Sequence, residues 1–159
     1  MDKIEKFEKF LESFKGKGQD TLIESMRKGF RACFENALQG NGNAIDGIIK
    51  GYVDAMFWTE EENEIGSDTT IADLAPETIT SLVNDIKKFF NVTHELLNKT
   101  PDDYSYEQAG HDFWLTRNGH GAGFWDRGLG DLGDKLTEVS KQFGESYFYK
   151  GDDGKLYVG

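Results

Sequence analysis

Residues 109–128 read AGHDFWLTRNGHGAGFWDRG, and their assignment decides the fold of the C-terminal half. Two aromatic-rich runs, His111-Asp-Phe-Trp-Leu-Thr-Arg117 and Gly123-Phe-Trp-Asp-Arg127, flank a glycine-rich centre. That is the grammar of a β-hairpin. With the loop at Asn118-Gly-His-Gly121, Leu115 faces Phe124, Trp114 faces Trp125, Phe113 faces Asp126 and Asp112 faces Arg127. Side chains alternate between the faces of a strand, so Phe113, Leu115 and Phe124 form a core-facing set. The other face carries a Trp114–Trp125 pair beside an Asp112–Arg127 ion pair. Either helices of the N-terminal half cover that face, or the tryptophans are presented to a ligand. A slip of one residue exchanges the faces.

The candidate binding residues follow from this register: Trp114, Arg117, Asn118, His120, Trp125, Asp126 and Arg127. Large aromatics on a polar-rimmed face are interaction anchors. The Arg-Asn-Gly-His-Gly loop offers Arg, Asn, His and backbone amides to an anion or carbonyl. Asn118 and Gly119 also suit the turn itself, because they tolerate positive φ. His111, Asp112, His120 and Asp126 are metal-capable, and His with Asp is general acid–base material. In a hairpin, however, His120 sits at the tip and His111 at the far end, more than about 15 Å away at about 3.3 Å per residue. No ordered ligand spacing is present. The sequence predicts no metal, no cofactor and no catalytic residue.

Outward from the hairpin, Gly128-Leu-Gly-Asp-Leu-Gly133 leads into a short helix over 131–143 with Leu132, Leu136, Val139 and Phe143 on one face, stopped by Gly144. A second hairpin ends the chain: Ser146-Tyr-Phe-Tyr-Lys150, a turn at Gly151-Asp-Asp-Gly154, then Lys155-Leu-Tyr-Val158. Upstream, helical spacing predicts helices over 2–15, 19–38, 44–58 and 77–98. The last of these opens on Pro76, suited to a first turn, and buries Ile79, Leu82, Val83, Ile86, Phe89/Phe90 and Leu97. His94 on it reads as a surface or half-buried histidine. In helix 44–58 a core stripe (Ile45, Ile48, Ile49, Tyr52, Val53, Met56) runs beside a stripe of small residues, Ala44, Gly47, Gly51 and Ala55. Interior glycine costs up to about 1 kcal/mol against alanine. Two on one stripe predict that another backbone packs very close, and a second copy of the chain is one candidate for it.

The fold class is therefore α+β: a helical N-terminal half of four helices packed with a small antiparallel sheet, built from two C-terminal hairpins around a short helix. The 159 residues read as one compact unit. Residues 1–42 form a helical arm and 43–159 an α+β domain, with an acidic loop at 59–70 carrying Glu60, Glu61, Glu62, Glu64 and Asp68. The single Cys33 cannot form an internal disulfide and reads as a buried free thiol in a reducing compartment. There is no apolar run long enough to span a bilayer and no signal-peptide core, which predicts a cytoplasmic protein without a membrane partner.

The formal net charge is −11. Residues 1–37 carry eight bases and seven acids, and residues 38–159 carry ten bases and twenty-two acids. Phosphate binding needs basic surface, so nucleic acid is disfavoured as a direct partner and a basic protein is favoured.

The run HDFWLTRNGHGAGFWDR, with Gly133-Asp-Lys-Leu-Thr137, Tyr149 and Gly151-Asp-Asp-Gly-Lys-Leu-Tyr157, resembles a family of small tailed-bacteriophage proteins. Tyr52-Val-Asp-Ala-Met-Phe-Trp58-Thr and Asp73-Leu-Ala-Pro-Glu77-Thr extend the likeness, which runs from residue 52 to residue 158. The resemblance implies a phage product acting in the bacterial host cytoplasm and carries no catalytic assignment. Two functions follow as expectations. One is a non-catalytic accessory protein that binds a host protein, in host takeover or anti-defence, with its acids mimicking nucleic acid. The other is a small enzyme or small-ligand binder using His111, Asp112, Arg117, Asn118, His120 and Asp126.

Overall fold

Pro76 supplies a pre-set φ and needs no N–H partner at the start of a helix, and Glu77 complements the positive end of the helix dipole. The helix they open runs 22 residues and buries Ile79, Leu82, Val83, Ile86, Phe89, Thr93 and Leu97 on one face. The computed structural model describes residues 43–60, 69 and 71–159. Its elements are α1 (Ala44–Glu60), α2 (Pro76–Leu97), α3 (Tyr106–Arg117), α4 (Asp131–Gln142), β1 (Phe148–Lys150) and β2 (Leu156–Val158), with 3-10 turns at Ile71–Asp73 and Phe124–Asp126. The class is α+β with a helical majority and one small antiparallel sheet. The predicted arm 1–42, its two helices and Cys33 lie outside the described residues, as do Glu61, Glu62, Glu64 and Asp68. Thr59 and Glu60, predicted to begin the acidic loop, form the last residues of α1.

The predicted hairpin at 109–128 is instead a helix, a tight stop and a 3-10 turn. Ser105 caps the start of α3, its Oγ accepting from the backbone N–H of Gln108 at 3.0 Å. The end is a Schellman stop: Gly119 adopts φ +67° and donates to the Thr116 carbonyl, while His120 N–H donates to the Leu115 carbonyl at 3.0 Å. The Asn-Gly pair thus ends a helix rather than turning a ribbon. Six consecutive residues, Asp112 to Arg117, are buried. A helix enclosed on all sides carries no polar stripe, so the period of 3.6 that reveals α2 is missing here. Phe124 returns into the core beyond the stop, where Thr116 Oγ1 accepts from its N–H.

The core joins all four helices. Phe89 of α2 stacks on Phe113 of α3 at 4.1 Å between ring centroids and 9° between planes, and Phe143 closes edge-on over Phe113 at 5.0 Å. The C-terminal hairpin pairs Phe148 with Val158, Tyr149 with Tyr157 and Lys150 with Leu156. It is pinned to the start of α2 through the Leu156 carbonyl, which accepts from Ala75 N–H at 2.9 Å and Thr78 Oγ1 at 2.8 Å. This is the only sheet among the described residues.

The small-residue stripe of α1 has its close neighbour within the chain. A Cβ placed on Gly51 would collide with the Glu107 carbonyl of α3, and one on Gly110 would collide with the Ile48 carbonyl of α1. A Cβ on Gly47 would stand 3.0 Å from Tyr106 Cβ. The two backbones therefore touch. The predicted self-association through helix 44–58 is corrected accordingly, since α3 of the same chain occupies that stripe.

A mid-helix Gly→Ala change ordinarily gains up to about 1 kcal/mol of helix propensity. Here overpacking outweighs that gain, and Gly51→Ala and Gly110→Ala are each expected to lose about 2 kcal/mol or more in urea unfolding. Gly47→Ala is expected to lose less, because its added Cβ would stand 3.0 Å from Tyr106 Cβ, a milder approach than those at Gly51 and Gly110. A Gly51→Ala protein as stable as the parent would contradict the close approach.

Candidate functional site

α3 delivers Asp112 and Arg117 inward, and each has a defined set of partners. Arg117, at its C-terminal end, is 6% exposed. Its Nη1 donates to Asp85 Oδ2 at 2.8 Å and Tyr52 Oη at 3.0 Å. Its Nε and Nη2 donate to the carbonyls of Gly144 (2.9 Å) and Phe143 (3.1 Å), which end α4. The guanidinium plane also lies near the rings of Phe113 and Phe143. Burial would lower its pKa, but Tyr52 and Asp85 outweigh burial and hold it above the ordinary arginine value. Burial pushes the Tyr52 hydroxyl up to about 12, so it stays neutral beside this cation. Arg117 is thus a tie between α1, α2, α3 and the end of α4, and its planar fork suits that geometry where a lysine would not.

Asp112, fully buried one turn earlier, is satisfied from three sides. Arg127 reaches it through Nη2 at 2.8 Å and Nε at 3.0 Å, Tyr104 Oη donates at 2.8 Å, and Gln108 Nε2 donates at 3.1 Å. A buried carboxylate is tolerable only with such pairing. Burial and the Asp112 charge push the Tyr104 hydroxyl well above its ordinary range. The Asp112–Arg127 ion pair that the hairpin register predicted does form. It forms across a helix and a turn, because Arg127 folds back over α3.

The remaining predicted residues separate. Trp114 is buried, edge-on to Tyr52 at 5.2 Å, with Nε1 donating to Thr59 Oγ1 at 2.8 Å. Trp125 is 43% exposed, so the two tryptophans form no pair on one face. Asn118 bridges backbone, donating to the Trp114 carbonyl at 3.0 Å and accepting from Ser146 N–H at 2.7 Å. Asp126 accepts from Gly123 N–H at 3.3 Å and holds the 3-10 turn. The backbone N–H of His120 serves the helix stop.

The partners of Asp112, Arg117 and Asn118 share no residue, so the predicted constellation does not converge on one pocket. A cavity of about 190 Å³ lies between α2 and α3, lined by Leu97, Asn98, Thr100, Pro101, Tyr104 and Tyr106 among others. That is smaller than ordinary small-molecule sites, and none of the candidate residues lines it. Among the described residues no three His, Cys, Asp or Glu side chains stand close enough to share a metal, and no helix is long and apolar enough to cross a membrane.

No family model, curated protein or solved structure matches the chain.

The group that sequence reasoning missed lies at the end of α1. Trp58 is 62% exposed and rests on the His111 imidazole, centroids 5.9 Å apart with the planes 31° from parallel. His111 Nδ1 is buried and has no hydrogen-bond partner. Asp54, one turn before Trp58, pairs with Lys50 at 3.0 Å, and Lys50 also reaches Glu107 at 3.2 Å. The available signal was the spacing of Asp54 and Trp58, which puts them on one helix face.

Burial lowers the His111 pKa below its ordinary 6.5, with Asp112 opposing and Arg127 reinforcing that direction. The folded state thus prefers the neutral ring, while the unfolded chain takes up a proton near pH 6.5. Stability is full above that value and falls as the pH drops through the folded pKa. Chemical denaturation at pH 7.5 and 5.5 should show this loss in the parent and a smaller one in His111→Gln. An equal loss in both proteins would contradict it.

Proposed function

We propose that the protein is a non-catalytic accessory product of a tailed bacteriophage that binds a basic host protein in the bacterial cytoplasm, for host takeover or inhibition of a defence system. The resemblance of the 111–127 run, and of the motifs around it, is the ground for the phage source. The observation that carries the binding reading is where the polar groups of that run are used. Arg117, Asp112 and Asn118 hold the fold together, which leaves the surface for recognition. That surface is acidic: the described residues include thirteen exposed Asp and Glu against six exposed Lys and Arg. Such a field attracts a basic partner and repels nucleic acid. A partner whose basic groove ordinarily holds nucleic acid fits it, with these carboxylates in place of phosphates.

Affinity purification of the tagged chain from a bacterial lysate tests this. A discrete host protein with a basic surface is expected to be retained at 0.1 M salt and released as salt screens the field, by about 0.5–1 M. Retention undiminished at 1 M salt would exclude the charge-led mode, and no discrete partner in infected or uninfected cells would overturn the reading.

A further inference from the structure

We propose that Trp58 and Asp54 form a clip on α1 for one lysine or arginine side chain of a protein partner, a proposal that rests on the reading of that partner as basic. Asp54 and Trp58 are four residues apart and share a helix face. The indole is 62% exposed, and Asp54 keeps 60% of its side chain exposed although it pairs with Lys50. Trp58 is not left over from the core. Buried Trp114 fills that role, with its Nε1–H already donated to Thr59.

The surroundings select the occupant. The face of an indole is the strongest of the aromatic cation sites, and tryptophan is over-represented among the residues that dominate binding energy. His111 backs the ring, and because burial disfavours its charged form, it places no cation beneath the indole at neutral pH. The carboxylates of Asp54 and Glu107 already hold one ammonium, that of Lys50, at 3.0 and 3.2 Å. Two carboxylates and one ammonium leave a net charge of −1 beside the exposed ring. A guanidinium or ammonium lying on Trp58 would meet Asp54 at its edge, while its methylene stem covers apolar indole surface. An acidic or purely apolar partner would gain nothing from Asp54, and the excess of exposed acids around the molecule opposes the former.

The test uses the full chain and a tetra-arginine peptide, with the indole N–H resonances as reporters. Trp58 should shift and saturate with added peptide, while buried Trp114 stays unmoved. Trp58→Ala should weaken binding about tenfold and Trp58→Phe by less, with the urea midpoint unchanged in both because the side chain is exposed. Asp102→Asn with Asp103→Asn removes two exposed charges in the turn between α2 and α3 and should leave the affinity within about twofold. Equal binding by Trp58→Ala and the parent would overturn the clip, as would a loss in the Asp102/Asp103 variant as large as that in Trp58→Ala. Failure of the clip and failure of the reading beneath it are separable. A host protein captured equally by the parent and Trp58→Ala removes the clip and leaves host binding standing. If the parent captures no host protein, the host-binding reading falls, and the peptide titration still decides the clip.

Discussion

The contact on which the rest of the molecule depends is the one between the backbones of α1 and α3, where Gly51 lies against the Glu107 carbonyl and Gly110 against that of Ile48. Without side chains in the way, α3 settles into the centre of the fold and is covered by α1, α2, α4 and the C-terminal hairpin. That position explains why a helix of twelve residues buries eight of them. It also explains why its polar members must find partners within the protein. A charge delivered to the core is tolerable only when its hydrogen-bonding capacity is filled, and Asp112 and Arg117 are filled by residues from several elements.

These polar ties give the centre a directional framework that apolar packing alone lacks. Arg117 ties the ends of two helices at once, bonding the carbonyls of Phe143 and Gly144 just beyond α4 while its own helix closes at Asn118. Asp112 gathers Tyr104 from before α3, Gln108 from within it and Arg127 from beyond the following turn. The residues that look most chemical in the sequence are therefore the ones most committed to structure. The acidic exterior and exposed aromatics such as Trp58 lie outside these ties.

Much of this was legible in the sequence, and the exceptions have physical causes. α2, α4 and the terminal hairpin carry an uninterrupted apolar stripe or a turn with Gly154 at φ +77°, and each lies within a residue or two of its predicted span. The glycine stripe of α1 correctly signalled a close backbone, although its neighbour is α3 rather than a second copy. The 109–128 segment misled because Phe, Trp, Leu and Thr in succession fit a strand as well as an enclosed helix, and Asn-Gly serves both a hairpin turn and a helix stop. The discriminating signal was local: Ser105 followed three residues later by Gln108 is a helix-start signature, and it lies just outside the run that draws the eye. The Asp112–Arg127 pair survived the wrong register because opposite charges fifteen residues apart can meet across a helix and turn as well as across a ribbon. The Trp58–His111 contact had no sequence signal, since it depends on how α1 and α3 cross.

Nuclear magnetic resonance of the isotope-labelled chain bears most directly on the placement of α3. Helical secondary shifts across 106–117, together with cross-peaks between the Hα protons of Gly51 and those of Glu107 or Gly110, are the result expected from backbones in contact. Extended shifts over 112–117 and 124–127, with cross-strand contacts between Trp114 and Trp125, would contradict it and restore the hairpin.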